Sequence, residues 1–318
     1  MRVLVTGGAG RLGITVCNKL LEEGFEVRVF DLDTPRNHKS VRELHQRAAV
    51  FWGDITQADS VRRALAGVDA VVHMAGILPP LANQRPELAD RVNVGGTRVL
   101  VDLLKGEGGH IPFVFTSSVA VFGPTPQTDR PLSPDRDAPH PSEPYGQTKL
   151  EAENVIRESG IDYVILRLSA TLYSAFSVRD LKRLFSIPLH NRVEFCHPED
   201  VATAIANAIR RFDMVKGNTL VIGGGPGQQM LYKDMTGAIL GTMRLPLPPA
   251  DRFPEEPSYL HWYDTSKSQE LLCFQRKTFA DYLEDYKKEL SRRYTVLFLP
   301  FMWYFVGPLF GKILARLM

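Results

Sequence analysis

Short runs of apolar, often β-branched residues alternate with longer segments whose apolar residues recur at helical spacing through the first two thirds of the chain. The short runs predict six strands, at Arg2–Thr6, Glu26–Asp31, Ala49–Trp52, Ala70–His73, Phe113–Ser117 and Tyr163–Arg167. The longer segments predict helices at Leu12–Glu23, Val41–Arg47, Ala58–Ala66, Pro86–Leu104 and Tyr145–Ser159. This alternation is typical of an α/β fold with a doubly wound parallel sheet, in which ligands bind at the carboxyl ends of the strands.

After Thr171 the alternation is less regular, and the pattern predicts a smaller second lobe. The predicted elements are a helix near Val178–Phe185, a strand at Val193–Cys196, a helix at Pro198–Arg211, a strand at Thr219–Ile222, and helices at Met230–Gly241, Thr265–Leu272 and Thr278–Arg293. We expect a first domain at residues 1–170, a small substrate-binding lobe at 171–293 with some segments returning to the sheet, and an apolar tail at 294–318.

The tail carries no charged residue from Tyr294 to Gly311 and approaches the length of a membrane span, although Pro300 and Gly307-Pro308 interrupt it. Its aromatic residues and flanking basic residues suit a membrane interface. We therefore expect membrane contact through residues 294–318, either monotopic or re-entrant. The alternative is a tail buried on its own domain or on a partner subunit, because large apolar surfaces rarely stay exposed to water.

The composition is that of an ordinary globular protein, with 318 residues, 44% of them hydrophobic and 23% charged. The formal net charge of +2 gives no reason to expect a nucleic-acid partner. Cys17, Cys196 and Cys273 are far apart and odd in number, so they predict neither a disulfide framework nor a metal site. A chain that starts directly in a strand predicts no signal peptide, and we expect a cytoplasmic protein.

Three glycines follow the first predicted strand at three-residue spacing, and a helical pattern begins among them. In such a turn the first glycine, Gly7, allows the tight bend, and Gly10 allows a ligand to approach the backbone. The third, Gly13, lets the helix pack closely on the strand. Backbone N–H groups at the start of a helix then face a pyrophosphate, so the turn predicts a dinucleotide site.

The second predicted strand ends in Asp31, about twenty residues after the glycines, as the dinucleotide fingerprint requires. A carboxylate there accepts hydrogen bonds from the ribose hydroxyls and repels a 2′-phosphate, so the sequence favours NAD over NADP. Arg28 and Arg36 lie near enough in sequence to keep NADP as the alternative. The structural alternative is an aspartate in a solvated turn.

A tyrosine and a lysine four residues apart, Tyr145 and Lys149, open a predicted helix and share one of its faces. A free tyrosine has a pKa of about 10. A neighbouring ammonium, together with the positive charge of oxidised nicotinamide, favours its phenolate and lowers that pKa. Tyr145 is therefore a candidate acid/base that exchanges a proton with a substrate hydroxyl. Upstream, the strand from Phe113 ends in Ser117 and Ser118, and a hydroxyl there would stabilise charge on the substrate oxygen.

These motifs together resemble the extended short-chain dehydrogenase/reductase family, specifically its NAD-dependent epimerase/dehydratase group. The matching residues are Thr6-Gly7-x-x-Gly10-x-x-Gly13, Asp31, Gly53-Asp54-Ile55, His73-Met-Ala-Gly76, Val92-Asn93-Val-Gly-Gly-Thr97, Ser117-Ser118, Tyr145-x-x-x-Lys149 and His197-Pro-Glu-Asp-Val-Ala202. They run in family order over residues 1 to about 210. The resemblance implies a Rossmann fold and an NAD-dependent enzyme.

The resemblance also implies roles for single residues. The catalytic residues would be Ser118, Tyr145 and Lys149. In the family, the serine lies four residues before an aromatic residue that is followed by a glycine. Here that pair is Phe122-Gly123, so the serine is Ser118 rather than Ser117. Asp54 and Ile55 would hold the adenine, His73 to Gly76 would line the cofactor cleft, and Asn93 would lie near the active-site helix. The cofactor-binding set is Gly7, Gly10, Arg11, Leu12, Gly13, Asp31, Asp54, Ile55, Ala75, Gly76, Asn93, Tyr145 and Lys149, with Lys149 on the nicotinamide ribose.

Other ionisable residues are interpreted as structural. We expect His73 to pack beside the cofactor and His197 to cap or pack at the start of a helix. The acidic group Asp281, Glu284 and Asp285 is interpreted as a solvated helix face, because Lys287 and Lys288 lie among it. No metal site is predicted.

The chain departs from the sugar-nucleotide members of this family at two positions. Those members usually carry an asparagine three residues after the arginine that ends the sixth strand, where this chain has Ala170 after Arg167. Galactose-epimerase-like members have a lysine two residues after the glycine of the fourth-strand motif, where this chain has Leu78, followed by Pro79-Pro80. Both departures make the entrance more apolar than a nucleotide diphosphate requires. Steroid dehydrogenase-like relatives, by contrast, act on lipid substrates.

Three hypotheses about function remain. The first is an NAD-dependent oxidoreductase that acts on a small-molecule alcohol or ketone, with an apolar substrate such as a sterol or an isoprenoid. The second is a sugar-nucleotide epimerase or dehydratase that keeps its NAD bound. The third is a non-catalytic NAD-binding scaffold subunit. The family often dimerises through two helices of the Rossmann lobe, so a homodimer is among the expected assemblies.

Overall fold

The computed structural model describes residues 1–173 and 184–293. Nine strands occur in these residues, at β1 Arg2–Thr6, β2 Glu26–Asp31, β3 Ala49–Trp52, β4 Ala70–His73, β5 Phe113–Ser118, β6 Tyr163–Leu168, β7 Arg192–Glu194, β8 Thr219–Ile222 and β9 Gln229–Leu231. Seven of them form one parallel sheet in the order β3-β2-β1-β4-β5-β6-β8. The other two, β7 and β9, pair antiparallel. The order reverses direction beside β1, which places the ligand crevice between β1 and β4.

Helices connect these strands. The α-helices of the described residues are α1 Arg11–Glu22, α2 Pro35–Ser40, α3 Ala58–Leu65, α4 Leu81–Gln84, α5 Pro86–Ala89, α6 Gly96–Gly106, α7 Pro144–Arg157, α8 Pro198–Arg210, α9 Phe212–Val215, α10 Tyr232–Thr242, α11 Ser266–Leu272 and α12 Phe279–Arg293. A π-helical turn, Asp90–Gly95, joins α5 to α6 without a break. Short 3₁₀ turns lie at Leu44–Gln46, Val119–Phe122, Pro226–Gln228 and Ala250–Arg252.

The sheet is covered on both faces. On one face the side chains of Val3, Val5 and Val72 pack against α1 and α8, and on the other the side chains of Leu4 and Val71 pack against α3, α6 and α7. Neighbouring side chains of a strand point to opposite faces, which is why these buried strands are apolar throughout. A third apolar cluster is built around β7, α10 and α12 and includes the 3₁₀ turn at Val119–Phe122.

The first six strands and the doubly wound parallel sheet agree with the sequence prediction. The predicted helix at Val41–Arg47 is wrong, because the α-helix lies earlier, at α2, and only the 3₁₀ turn at Leu44–Gln46 follows. Thr34 caps α2 by accepting a hydrogen bond from the Asn37 N–H at 3.2 Å, and Pro35 occupies the first helical position. The cap and the proline start the helix there, whereas Val41 and Leu44 are only its buried flank.

After Thr171 the structure differs from the prediction at two places. The predicted helix at Met230–Gly241 begins only at Tyr232, because the preceding residues form β9 against β7. The strand predicted at Val193–Cys196 lies one residue earlier and is shorter, at β7. The helix predicted near Val178–Phe185 falls largely outside the described residues. Strand β8 joins the large sheet, and the division into domains at residues 170 and 293 stays a prediction.

Membrane contact was predicted from the tail at 294–318, which lies outside the described residues. Within 1–173 and 184–293, every helix is too short or too polar to cross a membrane.

Candidate active site

The glycine turn joins β1 to α1 and leaves no room for side chains. Gly7 has a φ of +72°, and a Cβ atom on it would lie 2.7 Å from the Ala75 nitrogen. A Cβ atom on Gly13 would collide with the Gly7 carbonyl oxygen. Gly10 precedes the first turn of α1, which contains Arg11 and Leu12, and the N–H groups of a first turn have no acceptor within their own helix. The turn is therefore a backbone cradle that fits a pyrophosphate.

Asp31 ends β2 beside this turn, and three donors hold its carboxylate. Its oxygens accept hydrogen bonds from the Ala9 N–H at 3.0 Å, the Leu32 N–H at 2.8 Å and the Asn37 side-chain amide at 3.1 Å. Burial raises the pKa of Asp31, and the hydrogen bonds from Leu32 and Ala9 oppose that rise. A fixed carboxylate at this strand end suits the ribose hydroxyls of NAD.

One of the two arginines that left NADP open points away from Asp31. Arg28 donates hydrogen bonds to the carbonyls of Ala64 and Ala66, at 3.0 and 2.7 Å, at the end of α3. The other, Arg36, is exposed on α2. The adenine candidates follow β3, where Ile55 is buried and Asp54 is exposed and accepts hydrogen bonds from Thr56.

The three predicted catalytic side chains come together where β5 ends against the first turns of α7. Tyr145 is buried and hydrogen-bonded to Ser118, while the hydroxyl of Ser118 also accepts from the Ala120 N–H at 3.2 Å. Lys149, one helical turn later, is buried and donates from Nζ to the carbonyl oxygen of Thr116 at 2.7 Å. Its ammonium also lies 4.5 Å from the centre of the Phe115 ring. The end of β5 and the first turns of α7 thus place the hydroxyls of Ser118 and Tyr145 in one site with the ammonium of Lys149.

In the protein without its cofactor, burial has a larger effect on the pKa of Tyr145 than any neighbouring charge. Burial raises the pKa of Tyr145 to about 12, and the hydrogen bond with Ser118 opposes that rise only in part. Burial also lowers the pKa of Lys149 to about 8, against the opposing charge of Glu153. Both groups therefore shift towards their neutral forms, because desolvation penalises charge on each.

Asn93 lies on the π-helical turn and braces the active-site helix. Its Oδ1 accepts from the Ile77 N–H at 2.7 Å, while its Nδ2 donates to the Ile77 carbonyl at 3.1 Å and to the Thr148 hydroxyl at 3.0 Å. Thr148 in turn donates to the Tyr145 carbonyl at 2.9 Å. π-Turns are frequent at functional sites, and here the turn aims Asn93 at the loop after β4 and at α7. The loop residue Gly76 packs against the same side chain.

His73 is a neutral structural residue, as expected. It is fully buried, and burial lowers its pKa to about 3. Thr97 donates to the Asn93 carbonyl at 2.6 Å, so its hydroxyl accepts from His73 Nε2–H at 3.0 Å. His73 Nδ1 then accepts from the Thr6 hydroxyl at 2.7 Å, and Thr6 accepts from the Met74 and Ala75 N–H groups. The ring therefore ties β1, β4 and the cofactor loop together.

Sequence reasoning missed a buried charge network behind the catalytic residues. Glu153 is fully buried on α7 and accepts hydrogen bonds from Ser117 at 2.5 Å and from Nε and Nη2 of Arg167 at 3.0 and 2.8 Å. Arg157 donates to it as well, at 2.6 Å. The signal was available, since Glu153 lies four residues after Lys149 and on the same face of the helix.

The mouth of the site was also incompletely predicted. Leu78 and Leu81 are 59% and 42% exposed, although both are large and apolar. Asn83, on α4, accepts from the Tyr145 N–H at 3.1 Å and so caps α7. The side of Tyr145 that faces this corner packs in a small apolar cluster with Ala82, Ala89 and Ala120. The catalytic helix thus starts beside an exposed apolar corner.

The remaining candidates are structural. His197 caps α8 by accepting from the Glu199 N–H at 3.2 Å. The acidic side chains of α12 pair locally, Glu284 with Lys287 at 2.6 Å and Asp285 with Lys288 at 3.1 Å, on a largely exposed face. In the parts of the chain that the structure describes, no group of His, Cys, Asp and Glu side chains has an arrangement that could hold a metal ion.

The sequence matches a model of the NAD dependent epimerase/dehydratase family over residues 3–223. An uncharacterized protein of Sinorhizobium fredii, y4nG, is 36% identical over 63% of this chain and 51% of its own length. The 3 beta-hydroxysteroid dehydrogenase type 7 of Rattus norvegicus is 33% identical over 49% of this chain and 48% of its own. The UDP-glucose 4-epimerase of Haemophilus influenzae is 32% identical over 50% and 48%. The matched region spans about half the length of these curated relatives.

Solved structures share the fold across nearly the whole chain. A dTDP-glucose 4,6-dehydratase from Streptomyces venezuelae, solved with NAD bound, is 24% identical and has a TM-score of 0.79 over 94% of this chain and 99% of its own. A UDP-glucose-4-epimerase from Stenotrophomonas maltophila, also solved with NAD, is 20% identical and has a TM-score of 0.79 over 93% and 99%.

Proposed function

Because the chain belongs to the NAD dependent epimerase/dehydratase family, we propose that it is an oxidoreductase that uses NAD to interconvert a secondary alcohol and a ketone beside Tyr145. One observation carries the proposal. The hydroxyl of the buried Tyr145 is hydrogen-bonded to Ser118, and Tyr145 lies one turn of α7 before the buried Lys149. This site combines a proton donor, Tyr145, with a hydroxyl that orients the substrate, Ser118, and a cation, Lys149. It lies at the strand ends, where ligands of this fold bind.

The cofactor fits the residues that are present. The glycine turn cradles the pyrophosphate, because a Cβ atom at Gly7 or Gly13 would fill the space. Asp31 takes the adenosine ribose hydroxyls, with Asp54 and Ile55 beside the adenine. Ala75, Gly76 and Asn93 line the middle of the crevice, and Lys149 takes the nicotinamide ribose. When bound, NAD supplies the hydride acceptor, or NADH the donor.

The side chains move the proton. In ketone reduction Tyr145 donates the proton of its Oη to the substrate oxygen, and a pKa of about 12 keeps that proton on the phenol at neutral pH. Ser118 donates a hydrogen bond to the same substrate oxygen and stabilises its developing charge. In alcohol oxidation Tyr145 accepts the hydroxyl proton, and the ammonium of Lys149 stabilises the phenolate that this step requires.

An apolar substrate, such as a sterol or an isoprenoid, fits the entrance better than a sugar nucleotide. The exposed Leu78 and Leu81 flank the corner where α7 begins, and Ala170 has no polar group to bind a phosphate. One relative carries the name of a steroid dehydrogenase. The alternative, a sugar-nucleotide epimerase or dehydratase, is favoured by the named epimerase relative and the fold neighbours. The intact Ser118, Tyr145 and Lys149 argue against a non-catalytic scaffold.

The first experiment measures the nicotinamide released by acid from freshly purified protein, relative to protein concentration. We expect a largely empty protein that binds added NAD reversibly and turns over apolar alcohols or ketones. Near-stoichiometric NAD that survives dialysis, with turnover of sugar nucleotides only, would instead support the alternative. A protein that binds neither NAD nor NADP would contradict both.

A further inference from the structure

A contact between two side chains bridges the crevice in which the cofactor would lie. Arg11 is the exposed first residue of α1, directly after the glycine turn, and Tyr173 is a half-buried residue in the segment that follows β6. The guanidinium carbon of Arg11 lies 6.0 Å from the centre of the Tyr173 ring. This distance is within the range of a cation–π interaction. We name this contact between Arg11 and Tyr173 the clasp.

The strand order shows what the clasp crosses. Strands β1 and β6 are separated by β4 and β5 in the sheet. Neighbouring strands lie about 4.8 Å apart, so the ends of β1 and β6 are roughly 14 Å apart. A contact between a residue that follows β1 and one that follows β6 therefore spans the carboxyl edge of the sheet at the ends of β4 and β5. Those ends lead to the Gly76 loop and to Ser118, which are parts of the cofactor and catalytic sites.

The Tyr173 side of the clasp is anchored to the second lobe. Ala170 forms an isolated bridge with Phe195, and its carbonyl accepts from the Cys196 N–H at 2.9 Å. Thr171 closes a local turn by donating to the Ser169 carbonyl at 3.2 Å. The segment that carries Tyr173 is therefore tied to the residues that directly follow β7.

Two residues of the candidate site act on the Tyr173 phenol. Burial raises its pKa, the neighbouring Tyr145 raises it further, and the charge of Arg11 lowers it. Tyr173 therefore lies near both the candidate acid/base Tyr145 and the first residue of α1.

We propose that Arg11 and Tyr173 form a clasp over the dinucleotide, so that the cofactor leaves only when their contact opens. This inference rests on the proposed function and deepens it, because it assigns cofactor retention to two named side chains. Arg11 acts through its contact with the ring. Tyr173 is a positioning residue, and neither residue exchanges a proton with the substrate.

The test is the rate at which bound NADH leaves the full-length protein, followed by its fluorescence after mixing with excess NAD. We expect Tyr173→Leu and Arg11→Gln each to raise that rate several-fold, because each removes the cation–π contact between the guanidinium and the ring. The double variant should release NADH no faster than the faster single variant, since both remove one contact. Rates that multiply in the double variant would overturn the clasp.

Matched variants separate the clasp from simpler explanations. Tyr173→Phe keeps the aromatic face and should release NADH at nearly the unmodified rate, whereas a rate as fast as that of Tyr173→Leu would contradict the contact. Arg98→Gln removes an exposed arginine from α6 and should leave the rate unchanged. An unmodified protein that binds no NADH would contradict the proposed function itself. Normal binding with unchanged release in Tyr173→Leu would contradict the clasp alone.

Discussion

The hydroxyl of Tyr145 and the ammonium of Lys149 share one buried site, and at this scale burial dominates their chemistry. It raises the pKa of the phenol to about 12 and lowers that of the amine to about 8. The same physical cause keeps the His73 imidazole neutral, since desolvation disfavours every charged form. The protein alone therefore prepares Tyr145 as a proton donor rather than as a phenolate.

Replacing Tyr145 by phenylalanine should abolish turnover and leave NAD binding nearly unchanged. The variant removes the hydroxyl that exchanges the proton and keeps the ring that fills the apolar corner. Turnover and an NAD titration, measured on the same preparation, test both halves. Turnover that persists at the level of the unmodified protein would contradict the acid/base role assigned to Tyr145.

Ketone reduction should slow as the pH rises through about 8. Lys149 is charged below its pKa, so its ammonium is present at neutral pH and is lost above that value, while Tyr145 keeps its proton up to about pH 12. The rate of NADH oxidation from pH 6 to 10 gives the profile. A profile that stays flat across this range would show that the charge of Lys149 does not contribute.

At the scale of elements, α7 carries both the proposed catalytic residues and a buried charge network. One face of the helix presents Tyr145 and Lys149 to the crevice, and the next turn inserts Glu153 between Arg157 and Arg167. Ser117, on the end of β5, donates to the same carboxylate. The network therefore joins β5, which carries the proposed catalytic Ser118, to α7, which carries Tyr145.

Glu153→Ala should reduce the free energy of unfolding by about 3–5 kcal/mol, because it leaves the buried guanidinium of Arg167 without its counter-charge. Urea unfolding followed by circular dichroism measures the change. The matched control is Glu151→Ala on the exposed face of the same helix, for which we expect a change within about 0.5 kcal/mol. Equal losses of stability in the two variants would contradict the stabilising role assigned to the ion pair between Glu153 and Arg167.

At the scale of the whole molecule, apolar surface at the mouth of the site and an uncharged stretch from Tyr294 to Gly311 occur in one chain. Both features suit a protein that takes an apolar substrate at a lipid surface. The proposal of membrane contact rests on the composition of the tail alone, since residues 294–318 lie outside those described.

Deletion of residues 295–318 should move the protein from the membrane pellet to the supernatant after ultracentrifugation of a cell lysate. The deletion removes most of the uncharged stretch and leaves the catalytic residues in place. A full-length protein that is already monodisperse without detergent would contradict membrane contact.

Local pattern was sufficient for much of the fold and of the site. Buried parallel strands are apolar throughout, and the glycines, Asp31 and the Tyr145–Lys149 pair occupy fixed places relative to strand ends, so sequence spacing located all of them. The helix at Val41–Arg47 was mispredicted for a local reason, since the cap at Thr34 and the proline after it start α2 earlier.

Tertiary structure alone decided which distant groups meet and how deeply they are buried. Sequence spacing does not show that Arg28 donates to carbonyls at the end of α3 or that two arginines donate to Glu153. Nor does it show that Tyr173 contacts Arg11. The direction of each pKa shift was decided in the same way, because desolvation depends on every element packed around a group. The sequence by itself thus determined the fold class and the candidate chemistry, and the packing decided the protonation states and the contacts across the crevice.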